Sequence, residues 1–182
     1  MPKVAIDLKQ EIKALSKPDL EKLVTKAASI SKEFSEYLLI NYINKSDGEQ
    51  QIFEQAKNDL EILTRKSYKG ISAELKLANM FAACNKRITE FGKVCKDKSL
   101  ELDLIMFVLQ IPFSTSTASF GTCFTRYNQQ VYLLIKKATT LLTTKLHPDY
   151  NIQYAPILNE YLNTLHKTSG HLDYIDKLPI SV

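Results

Sequence analysis

"KALSKPDLEKLV", residues 13–24, closes one apolar-periodic segment and opens another within a few residues. Ser16 stands where its hydroxyl can accept from the first free N–H groups of a following helix. Pro18 falls in the first turn, where no donor is missed, and Asp19 takes the acidic place of a capping box. The residue before a proline avoids the α region, which makes Lys17 the alternative cap. On either register a helix starts here, and helix, polar corner, helix is the pattern that organises the rest of the chain.

Upstream of the corner, Ile6, Leu8, Ile12 and Leu15 predict a short first helix; downstream, Leu20, Leu23, Val24 and Ala27 recur at helical spacing. Phe34, Leu38 and Ile43 continue the pattern past Ser29 and Ser31, so residues 17–44 form one bent helix or two. "NKSDGEQQ", residues 44–51, breaks the chain again, and Asp47 with Gln50 repeats the capping-box spacing before Phe53, Leu60 and Leu63. A long helix is predicted from about Ile71 to Cys95, and a nearly all-apolar one from about Ser99 to Pro112, central by its composition. After the Ser/Thr-rich "STSTAS", residues 114–119, a further long helix carries Val131, Leu134, Ile135, Ala138, Leu141 and Leu142. "HPDYN" stops it, Pro156 lies in the first turns of the last helix, and Gly170 is a candidate C-cap. The expected fold is all-α: a single domain, residues 1–182, of about seven or eight helices in antiparallel hairpins, as a bundle or a short helical array.

Composition agrees. With 182 residues, 45% hydrophobic and 24% charged, the chain is long enough for one substantial core, and only 5 Gly and 6 Pro interrupt it. The net charge of +4 is local: residues 1–100 hold 18 Lys or Arg against 14 Asp or Glu, and residues 101–182 hold 6 of each. The N-terminal "MPKVAIDLKQ" has charges inside its only apolar patch, so no signal peptide is expected. The longest unbroken apolar run, Leu104 to Leu109, is far short of the roughly 20 residues of a membrane helix. No membrane association and a cytoplasmic location are the expectation.

Three cysteines make an odd total, which speaks against a disulfide framework and for a reducing compartment. Cys84 and Cys95 share a helix face but stand about 16 Å apart along its axis, too far for a shared metal or bond. That face also carries Leu77, Met80, Phe81, Ile88 and Phe91, so both thiols are read as core. His147, His166 and His171 lack a Glu or Cys at zinc spacing, and His171 with Asp173 and Asp176 reads as a solvated tail. No glycine-rich phosphate loop, nucleophile elbow or nucleotide fingerprint occurs. No catalytic, cofactor-binding or metal residue is assigned, and an enzyme is left unsupported.

Two surfaces remain. Lys86, Arg87 and Lys93 mark a basic strip on the long helix, a candidate polyanion surface. The opening corner reads as structural rather than as a DNA reader, since the face after Ser16 offers Lys17, Asp19, Glu21 and Lys22, two of them acids that repel phosphate. The other surface starts from Gly121, where a glycine at a helix start implies a close approach or a special angle. The tail after Gly170, with Leu172, Tyr174, Ile175 and Leu178, is too apolar to leave in water. It is expected to fold back near Phe120, Gly121 and Phe124, with Tyr174, as a candidate partner surface.

"LKQEIKALSKPDLEKLV", "SFGTCFTRYNQQV" and "KTSGHLDYIDKL" together resemble a family of small bacterial all-helical proteins of unknown function. The resemblance implies an all-α fold and a bacterial cytoplasmic setting; it brings no activity to carry over. The function expected is macromolecule binding, with a protein as partner, a nucleic acid as the first alternative and an unrecognised enzyme as the second.

Overall fold

A computed structural model describes residues 5–115, 120–122 and 125–182, giving only the backbone of Thr115 and Thr125. Among these residues there are eight α-helices and no strand, the all-α architecture that the periodicity predicts. The chain divides into two compact units, residues 1–48 and 49–182.

The first unit contains α1 (Ile6–Ala14), α2 (Lys17–Ile30) and α3 (Lys32–Leu38), followed by a π-helical turn, Leu39–Ile43. The opening corner is built as its residues dictate: the Ser16 hydroxyl faces the Asp19 N–H at 3.4 Å and donates to the Asp19 carboxylate at 2.5 Å. Residues 17–44 are not one bent helix. Ser31 leaves helical geometry (φ −119°, ψ 111°), donates its N–H back to Ala27 O, and its hydroxyl accepts from the Phe34 N–H at 3.2 Å. One serine thus ends α2 and starts α3.

The second unit runs from α4 (Gly48–Arg65), which begins at the boundary, through α5 (Ala73–Val94), α6 (Lys98–Thr115), α7 (Thr125–Thr144) and α8 (Tyr150–Ser169) to a 3-10 turn at Ile175–Lys177. Ser72 caps α5 by accepting from the Leu75 N–H at 3.2 Å. α7 packs against α5, α6 and α8, and α5 against α6. As expected of its composition, α6 is buried almost all round, with Leu102, Leu104, Ile105, Met106, Val108 and Leu109 in the core. It continues three residues beyond Pro112, because a proline removes one donor without forbidding the turn after it. The Ser114 hydroxyl takes up the Gln110 carbonyl at 2.6 Å.

One buried charge ties three of these helices. Glu101, 3% exposed, accepts from Lys98 Nζ at 2.9 Å and from Lys137 Nζ of α7 at 2.7 Å. Lys98 also donates to the carbonyls of Gly92 and Cys95, at 2.7 and 3.1 Å, closing the C-terminal turn of α5. Gly92 is where α5 makes room: a Cβ there would overlap the Glu101 carboxylate. Gly92→Ala is therefore expected to cost stability in the native background and far less in a Glu101→Ala background. A double-mutant cycle by urea unfolding should give a coupling above about 1 kcal/mol; simple additivity would mean that the carboxylate moves aside freely.

Candidate functional site

Around Gly121 the structure builds a clasp. Gly121 has φ +70°, the left-handed region that glycine enters without penalty. A Cβ there would overlap the Thr168 carbonyl at the end of α8, and the His171 ring lies alongside. Both reasons for a glycine therefore apply at once. Asn128 of α7, fully buried, accepts the Gly121 N–H at 3.2 Å and the Ser169 hydroxyl at 2.9 Å. Phe120 is 6% exposed, stacked on Tyr127 with centroids 5.5 Å apart and tilted against Phe113 at 5.2 Å.

The tail folds back as well. Ile175 and Leu178 are buried, Tyr174 packs its ring on Tyr132 at 5.1 Å, and Asn159 holds Val182 through two hydrogen bonds. Of the four residues singled out there, Phe120 and Gly121 are spent on internal packing and Tyr174 is half-buried. Phe124 and the third thiol, Cys123, lie outside the described residues. Asn128 was not singled out from the sequence, and its one signal is an amide inside the apolar arc between Tyr127 and Val131. Gly170 follows α8 in ordinary right-handed geometry, φ −61°, so the positive φ that ends many helices is not used there.

The basic strip does not assemble as expected. Arg87 is 5% exposed and donates from Nε to Asp59 Oδ2 of α4 at 2.8 Å. A side chain at the border of an apolar arc turns inward when an acid on the facing helix meets it, and Arg87 is thereby lost to a polyanion. Lys86 is exposed opposite Glu90 at 4.0 Å, and Lys93 is exposed. Among the histidines, His147 meets the Asp149 carboxylate at 3.1 Å and His166 the Pro179 carbonyl at 3.2 Å, both at the surface. No cluster of His, Cys, Asp or Glu among the described residues could hold a metal ion, and no described helix is long and apolar enough to cross a membrane.

Two features were invisible in the sequence. One is a cleft of about 390 Å³ lined by α4, α6 and α8, with Phe53, Lys57, Phe107 and Gln110 around it and Asp103 bonded to the Tyr154 hydroxyl. Burial, and then the Asp103 carboxylate, raise the Tyr154 phenol above its ordinary value of 10.0, so it stays protonated and donates. Lys57 Nζ lies 6.0 Å from the Phe107 ring centroid. This cleft can hold a small molecule, but it presents no activated nucleophile.

The other is the arm formed by α1 and α2, neither of which buries a residue. Leu8, Ile12 and Leu15 on α1 and its cap, and Leu23 and Val24 on α2, are exposed by 36% or more. Comparison with known proteins finds no matching family model, no matching curated protein and no matching solved structure.

Two outcomes test this description. Gly121→Ala should cost about 1–2 kcal/mol from the left-handed backbone alone, and more from the overlap with Thr168; a neutral result in urea unfolding would mean that the clasp yields. The thiols set a pH dependence. Burial pushes Cys84 and Cys95 from 9.0 up to about 12, the nearby Glu49 adding to the shift of Cys95. Between those values the unfolded chain binds fewer protons than the folded one, so stability falls as pH rises above 9. The expected slope is up to about 1.4 kcal/mol per pH unit for each thiol. Both thiols should label slowly in the native protein, and a stability that holds level through that window would show them ionising in place.

Proposed function

We propose that this protein is a macromolecule-binding module whose partner is a protein, engaged through the arm of α1 and α2. The observation that carries the reading is that neither helix buries a residue while both carry large apolar side chains at helical spacing. A helix of nine residues is below the length at which isolated helices hold in water, so α1 needs a surface to dock on. Covering the five exposed Leu, Ile and Val side chains named above is worth on the order of 10 kcal/mol before the costs of association. Large apolar side chains left exposed at helical spacing on two successive helices are what a protein contact would cover.

The inward turn of Arg87 weighs against the nucleic-acid reading, and the cleft, without an activated nucleophile, gives an enzyme no particular support. A bacterial, cytoplasmic setting belongs to the same proposal; the two described thiols, both free and buried, fit a reducing compartment.

Leu8→Gln with Leu23→Gln should change stability by no more than about 0.5 kcal/mol, since both side chains are exposed. The pair should abolish cross-linking between a photoreactive residue placed on α2 and its protein partner in native extract. Cross-linking that persists at its original level would remove the arm as the binding face.

A further inference from the structure

One set of apolar positions on each helix of the arm follows the same rule, with Ile6, Ala14, Val24 and Ala28 outside it. On α1 and its flanking caps they fall at Ala5, Leu8, Ile12 and Leu15; on α2 they fall at Leu20, Leu23, Ala27 and Ile30. Each set is spaced three, four, three, the seam of a two-helix coiled coil. Within one chain neither seam is fully covered: no residue of α1 or α2 is buried, although α2 packs against α3 and Leu20 and Ala27 are half-buried, and Leu15 and Ser16 between the two helices are both extended.

We propose that the arm pairs with the arm of a second copy of this chain, α1 lying antiparallel on α2 of the other copy, twice over about a two-fold axis at the Ser16 corner. The proposal rests on the protein-binding reading above and names the partner. In this register Leu15 meets Leu20, Ile12 meets Leu23, Leu8 meets Ala27 and Ala5 meets Ile30, so each alanine faces a large side chain. Glu11 then lies opposite Lys26 of the other copy, on the flank between the Leu8 and Ile12 layers, an opposite-sign pair that the symmetry repeats.

Charge also argues for a second copy over a lipid surface. Residues 5–30 hold five lysines against four acids with the signs interspersed, a self-complementary face rather than a cationic one. An open corner extended over a two-fold axis closes at two chains, whereas a parallel pairing of α1 with α2 would run on head to tail.

The test is sedimentation equilibrium of the full chain over a wide concentration range. The expected mass is twice the 20.7 kDa of one chain. Glu11→Lys alone and Lys26→Glu alone should each raise the dimer dissociation constant roughly tenfold, and the two together should restore it. The proposal is overturned by a monomer at every concentration, by a dimer indifferent to the single reversals, or by a double reversal that restores nothing. A monomer whose arm variants still lose a cross-linked foreign protein overturns self-pairing and leaves the arm as a protein-binding face. A monomer with no arm-dependent partner overturns both readings, and a monomer that binds phosphatidylglycerol vesicles through the arm does the same.

Discussion

Glu101 is the constraint on which the larger unit turns. α6 is apolar on nearly every side, so hydrophobic burial alone leaves its rotation about its own axis undetermined. A carboxylate cannot be left unpaired in such a place: Lys98, three residues before it on the same helix, accompanies it at any rotation, and the rotation observed also brings Glu101 against Gly92 of α5 and within reach of Lys137 of α7. Replacing such a cluster with apolar side chains of similar volume is often neutral for stability. Its value lies in choosing one packing among several of similar energy. Both lysines are 29% exposed, so their ammonium groups keep some water while the carboxylate is desolvated, which lowers the cost of the arrangement.

From that anchored helix an aromatic series carries the packing outward. Phe81 of α5 meets Tyr127 of α7, Tyr127 stacks on Phe120, Phe120 leans on Phe113 of α6, and Phe113 stacks on Tyr161 of α8 at 3.9 Å. Phe120 enters this series only because the next residue turns through the left-handed region. A glycine, a buried amide and a ring series therefore serve one end: they set α7 and α8 in a fixed place against α5 and α6.

Much of this was legible in the chain, and the illegible parts share a cause. Helix starts were readable at Ser16, because a cap is a local bond between residues three apart. The burial of Cys84 and Cys95 followed from a single helical arc, and the tight approach at Gly121 from a glycine where a helix should begin. By contrast, Arg87 and Asp59 are 28 residues apart, and nothing along either helix announces their meeting. Gly92 reads only as a weak helix former until Glu101 is placed beside it. The cleft draws its lining from three helices, and Tyr154 and Asp103 are 51 residues apart. Local chemistry is written in the sequence at a spacing of three or four, whereas contact between elements is settled by packing.

The arm shows the same limit from the other direction. Periodic apolar residues on α1 and α2 read like those of α5 or α7, and the sequence gives equal reason to expect a core behind each. α7 buries its apolar face and α1 does not. On the pairing proposed above, the ordering cost of α1 would fall on the association, and affinity would be lower than the covered apolar area alone would give. Specificity of that pairing would rest on the flanking charges and the size match of each layer rather than on the total area buried.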